Sequence, residues 1–182
     1  IKISQKISNP NQMSNYLISL HHPKFGLTLF KDGFTGNHRL DEDGKPSARL
    51  REFCREYGKN GWQVDYHSNL TMFDDRRTYL VEQIAQILMG IKKLDFFPTK
   101  DMALALGIGS GWTEIFAVDL KQLQGYQGKA VQICKKLNWN YKLIQAWIRA
   151  TCQKHFGSDS WAEYKYGERV FRTSPFNSRY NI

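Results

Sequence analysis

The hydrophobic period of the chain changes near Asp74, and that change limits the folds open to it. Before Asp74, apolar residues alternate with polar ones, as a half-buried strand requires. Trp62, Val64 and Tyr66 alternate with Gln63, Asp65 and His67, and Leu27, Leu29 and Lys31 alternate with Thr28 and Phe30. The short apolar run 16–20 stops at His21-His22-Pro23, because a residue before proline avoids the helical region. Asp32-Gly33 carries a hairpin-turn signature, and Gly36-Asn37 offers a second turn. A turn-rich acidic segment, 41–46, leads to Ser47 as N-cap of a helix 48–57 with Leu50, Phe53, Cys54 and Tyr57 on its apolar face. Arg49, Arg51 and Arg55 interleave there with Glu52 and Glu56 as surface pairs. Strand 61–67 is expected to pair with 27–31.

After Asp74 the period becomes helical. Leu80, Val81, Ile84, Ile87, Leu88 and Ile91 give segment 76–93 a broad apolar face, so it is a candidate central helix. Segment 100–106 reads as a helix closed by Gly107, and 112–123 as another after Gly109-Ser110-Gly111. Segment 129–156 reads as a helix, a tight turn at Asn138-Trp139-Asn140 and a second helix. Ile144, Trp147, Ile148 and Thr151 form the inner face of that second helix. Lys142, Gln145, Arg149 and Gln153 form an outer one. The predicted class is α+β and helix-rich. A lead-in (1–15) and a small α+β part (16–72, an antiparallel sheet with one helix) precede a helical part (73–157) and a basic aromatic tail (158–182). In that tail Lys165, Arg169, Arg172 and Arg179 alternate with aromatic residues. The pattern suits either phosphate contact with base stacking or packing of the tail back onto the domain.

Charge separates the two ends of the molecule. The chain of 182 residues carries a formal net charge of +9. Window 121–157 holds Lys121, Lys129, Lys135, Lys136, Lys142, Arg149 and Lys154 and no Asp or Glu. A concentration of unopposed cations is the electrostatic footprint of a polyanion partner. The three cysteines, Cys54, Cys134 and Cys152, form no CxxC pair. They read as free thiols in a reducing, cytoplasmic setting. No apolar run reaches membrane-spanning length, so no membrane partner is expected.

Segment 129–156 resembles the helix-turn-helix of DNA-binding proteins. Ile133-Cys134-Lys135-Lys136-Leu137 ends one helix, a short turn follows, and Trp147-Ile148 lies on the inner side of the next. The turn lacks the glycine that many such motifs carry. The resemblance implies that 141–156 enters the major groove. Lys142, Gln145 and Arg149 would then read bases with Gln153 on the same face, and Lys129, Lys135, Lys136 and Lys154 would meet phosphates. Segments 100–120 and 129–148 echo each other as helix, turn and aromatic-led helix. Phe97-Pro98-Thr99, Leu106-Gly107, Trp112 and Gly128-Lys129 also look similar to the short helical repeats that accompany some homing endonucleases. That similarity implies DNA binding by 95–156 and a nuclease elsewhere.

Candidate catalytic chemistry is sparse. Asp32, Asp43 and Lys45 could supply the carboxylates and lysine of a metal-dependent nuclease, with Mg²⁺ as cofactor. The acid-x-lysine spacing belongs on a core strand in restriction-type nucleases, whereas Gly44 and Pro46 place it in a turn. His38, His67 and Asp65 are a second candidate group. The chain has no GxxxxGK[ST], GxSxG or HExxH, and no GxGxxG after a strand, so nucleotide hydrolysis and nicotinamide chemistry are not expected. The leading expectation is a sequence-specific DNA-binding regulator without cofactor or metal, whose N-terminal part serves dimerisation or partner binding. The alternatives are a divalent-metal-dependent site-specific endonuclease and an RNA- or protein-binding adaptor.

Overall fold

In the computed structural model, which describes residues 13–36, 41–71 and 75–167, the chain folds as α+β. Strands β1 (Met13–His22), β2 (Leu27–Gly36), β3 (Gln63–Thr71) and β4 (Ile115–Phe116) form one antiparallel sheet, in spatial order β3-β1-β2-β4. The central place of β1 follows from its sequence. Tyr16, Leu17, Ile18 and Leu20 are apolar on both faces, and all four are buried.

Each face of the sheet carries its own core. Tyr16, Ile18, Leu20, Leu27 and Leu29 pack against Phe53 and Tyr57 of α1 (Ser47–Gly58). Phe96, Phe97, Ala103, Ile108 and Trp112, in and around α3 (Lys100–Ala105), complete that side. Leu17 and Phe30 point the other way, toward α2 (Asp75–Ile91), α4 (Leu120–Lys136) and α5 (Tyr141–Phe156). The short α6 (Trp161–Tyr166) packs on α5, where Tyr164 stacks on Phe156 with ring centroids 3.8 Å apart. As the periodicity indicates, α2 is the central helix: every residue from Leu80 to Ile87 is buried.

Several local expectations are corrected. Asp32-Gly33 is not a hairpin turn, because β2 runs straight through it to Gly36. The hairpin lies earlier, at Pro23 to Gly26, where Gly26 has φ of 59°. Gly33 is needed for a different reason: Tyr16 pairs with it across the strands, and a Cβ there would overlap the Tyr16 phenol. Strand β3 pairs with β1, not with β2, because the continuously apolar β1 takes the centre of the sheet. β1 also begins at Met13, inside the expected lead-in. Pro46 caps α1, and Ser47 is its first residue, donating its hydroxyl to the Asp41 carboxylate.

The largest correction concerns 112–123, which is α-helical only from Leu120. Trp112–Glu114 is a single 3-10 turn, Ile115–Phe116 is β4, and α4 starts only at Leu120. Ile115 and Phe116 are completely buried beside Lys31 and Phe30, so edge pairing overrides the helical pattern. The true start is a capping box, in which Asp119 accepts from the Gln122 backbone and Gln122 reaches back to Asp119. Gly125 and Gly128 lie inside α4, which extends the first helix of the 129–156 segment nine residues toward the N-terminus. The echo between 100–120 and 129–148 therefore has no structural counterpart.

Candidate functional site

The helical hairpin of α4 and α5 turns on two left-handed residues, Asn138 at φ 54° and Trp139 at φ 53°. Asn tolerates that conformation, which supplies what a glycine would otherwise give. Asn140 then caps α5, accepting from Leu143 N at 3.0 Å. The inner faces hold Ala130, Cys134, Ile144, Ile148 and Cys152, all buried. Both cysteines are free, and burial pushes each thiol up to about 11.

The outer faces are basic. Lys121, Lys129, Lys135, Lys136, Lys142, Arg149 and Lys154 are all exposed, as is Gln153, while Gln145 is half-buried. Two further cations join them from the first turn of α2. The Arg76 guanidinium lies 5.3 Å from the Tyr141 ring centroid, and that of Arg77 lies 4.7 Å from Trp139. The N-terminal end of α5 thus gathers Arg76, Arg77, Lys142, Tyr141 and the exposed Leu143, with no acidic residue in the helix's first turn. The positive end of the helix dipole adds to this field.

A second group of charges lies inside. Lys31 and Asp32 are adjacent on β2 and both fully buried, but they face opposite sides of the sheet. The Lys31 ammonium sits over the Phe53 ring, 5.2 Å from its centroid, and pairs with Glu114 Oε2. Glu114 Oε1 accepts from Lys165 Nζ at 3.3 Å. Burial opposes the Lys31 charge, but Glu114, helped by Tyr16 and Tyr57, more than offsets it and holds the ammonium above its usual range. Burial likewise works against the Glu114 carboxylate, and its two lysines outweigh that and keep it below the ordinary range.

On the other face, Asp32 meets α2 and α4. Gln127 Nε2 donates to Asp32 Oδ1 at 3.4 Å, and Gln86 Nε2 donates to the Asp32 carbonyl at 3.4 Å and to Glu82 Oε1 at 2.9 Å. Burial, reinforced by the Glu114 charge, pushes Asp32 up to about 8. Burial and the neighbouring carboxylates of Glu114 and Asp32 also hold Glu82 well above its ordinary range.

The residues expected to act together do so only in part. The hairpin cations are all exposed. Asp32, Asp43 and Lys45 do not form one cluster: Asp32 is interior, whereas Asp43 and Lys45 sit on an exposed turn built around the Asp41 carboxylate. Asp65 and His67 are exposed on β3, where His67 bonds the Ser19 hydroxyl at 2.8 Å, and His38 lies outside the described residues. Lys165 of the tail is buried against Glu114 instead of facing solvent, and positions 168–182 lie outside the described residues.

Arg76, Arg77, Glu82, Gln86, Glu114 and Gln127 escaped the sequence reading. Two signals pointed to the first four. Paired arginines at a helix N-terminus oppose the helix dipole and so call for another partner. Glu82 and Gln86, four residues apart in the apolar run 80–87, place polar groups where the helix is buried all round.

Compared with protein-family models, curated proteins and solved structures, the chain shows no significant match. Among the described residues, no helix is long and apolar enough to cross a membrane.

Proposed function

We propose that the chain is a sequence-specific DNA-binding protein, a regulator, that docks on duplex DNA through the α4–α5 hairpin. The observation that carries this reading is the outward, acid-free cationic surface of 121–157. Cations spread over the folded surface at random would be interleaved with acids, as they are on α1. Here they are all exposed and no Asp or Glu lies among them in 121–157, which suits a polyanion better than a single acidic side chain. α5 is the element for the major groove. Its N-terminal end combines cations, ring faces and the positive helix terminus, and recognition helices present that end to base edges. Lys142, Gln145 and Arg149 are the base readers, with Gln153 following on the same face. Lys129, Lys135, Lys136 and Lys154 contact phosphate, and Arg76 and Arg77 extend the phosphate contacts to the neighbouring helix.

The test is binding of a labelled duplex at several salt concentrations. Each lysine–phosphate contact contributes about 0.9 to the slope of log K against log salt. Lys135→Glu with Lys136→Glu is expected to lower that slope by about 2 and to weaken binding to every sequence alike. Unchanged affinity would overturn the reading. Competition with single-stranded RNA and with an acidic polypeptide separates DNA from the adaptor alternatives.

A further inference from the structure

We propose that Asp32 on β2 and Glu82 on α2 are a pair of protonated carboxyl groups that fasten the central helix to the sheet, and that rising pH loosens this fastening. The inference is independent of the DNA reading, since both side chains lie inside the fold and neither faces the basic surface.

The surroundings of the two groups carry the argument. Asp32 is completely buried and Glu82 is 1 % exposed. The Gln86 amide nitrogen ties them together, bonding both the Asp32 carbonyl and Glu82 Oε1. Each carboxyl receives one neutral amide N–H, from Gln127 at Asp32 Oδ1 and from Gln86 at Glu82 Oε1. Asp32 Oδ2 and Glu82 Oε2 have no hydrogen-bond partner among the described residues. Among those residues no cation forms an ion pair with either group, because Lys31 and Lys165 both bond Glu114. One amide N–H replaces little of the water that an ionised carboxylate loses on burial. A carboxyl group in such a place keeps its proton. Protonation also supplies O–H donors to a cluster in which Gln86 Oε1 is a buried acceptor without one.

The charged neighbours of the pair are Lys31 on β2, Glu114 on the 3-10 turn and Lys165 on α6, and the negative charge of Glu114 acts on both carboxyls in the same direction as burial. β1 brings Leu17 opposite Asp32, and α4 brings Gln127, both uncharged. Burial, with Glu114 behind it, accordingly lifts Asp32 from an ordinary 3.8 to about 8 and holds Glu82 well above its ordinary 4.5. Both groups thus bind protons in the native chain that the unfolded chain has already released. Stability is therefore lost as pH rises from the ordinary carboxylate range to about 8. The other shifted groups act outside that window. Asp41 and Glu114, held low, act below 3.8 and 4.5. The buried thiols act above 9.0, and Tyr16, Tyr57 and Lys31 act above 10.0. Through Gln127 the same two protons also join α4, the first helix of the hairpin, to the sheet.

Urea unfolding of the full chain at a series of pH values from about 5 to about 8 tests the pair. Each proton held only by the folded chain raises the unfolding equilibrium constant by up to about tenfold per pH unit. Asp32→Asn and Glu82→Gln keep the shape of a neutral carboxyl and cannot ionise, so each should remove one such factor. Asp43→Asn, on the exposed turn, should leave the pH dependence unchanged. Infrared spectroscopy of the wild-type chain reads the protons directly, and so decides the matter even where a variant fails to fold. The C=O stretch of a protonated carboxyl should be present at neutral pH and should fade as pH rises through about 8. Stability that stays constant over this pH range, absence of the protonated-carboxyl band at neutral pH, or an undiminished pH dependence in a folded chain carrying both Asp32→Asn and Glu82→Gln would each overturn the proposal.

Discussion

Helix α4 contributes to both charged regions of the molecule, and the two follow opposite rules. Its inner face delivers Gln127 to the carboxyl cluster, and its outer face presents Lys121, Lys129, Lys135 and Lys136 to solvent. Inside, every ion depends on a named partner, because a low-dielectric interior makes a lone charge expensive. Outside, the cations have water, and removing one should cost the fold little. Charge in the interior is thus a matter of architecture, and charge on the hairpin surface is free for a partner.

The sharpest way to break this contrast is to change one charge in each setting. Glu114→Ala strands Lys31 in the core without its counter-ion. Loss of one member of a buried pair costs about 3–5 kcal/mol. Urea unfolding should show that loss, whereas Lys135→Glu should leave stability within about 0.5 kcal/mol of the parent. Equal effects would abolish the distinction.

Thiol chemistry sharpens the comparison within the hairpin itself. Cys134 and Cys152 are on the buried side, and burial places both near 11, while Cys54 is exposed. Only the thiolate reacts, and burial both raises and shields the two hairpin thiols, so at pH 8 they should label more slowly than the exposed Cys54. Denaturant should bring all three to one rate. Fast labelling of Cys152 would mean that α5 shows the opposite face to solvent.

The smallest effect concerns the border of the two regions. Arg77→Ala removes a guanidinium from the face of Trp139, an exposed contact worth about 0.5–1 kcal/mol. Stability should fall by no more than that. DNA affinity should fall in a salt-dependent way if Arg77 belongs to the binding surface.

The hairpin and the central helix were legible because their periodicity is long and their caps are local. Asn140 and the stripe of Ile144 and Ile148 can be read within a few residues of one another. Strand order was not legible, since nothing in 61–67 states that β1 will be its neighbour. The Asp32-Gly33 signature misled because a glycine shaped to admit the Tyr16 ring has the same spelling as a turn. The carboxyl cluster was the least visible. Asp32, Glu82 and Glu114 are separated by long stretches of chain, and only tertiary packing brings them within each other's field. Asp32 was singled out, but with Asp43 and Lys45, companions chosen by proximity in sequence.

The ion pair of Lys31 with Glu114 spans 83 positions along the chain, and this has a temporal consequence. A nascent chain that has emerged only as far as α3 possesses three of its four strands and the whole of α1, yet it cannot bury Lys31. The ammonium must stay hydrated until the 3-10 turn arrives with its carboxylate. Sealing of the first core is thereby postponed until Glu114 has been made. The two-residue strand β4 serves as the latch of that delayed closure.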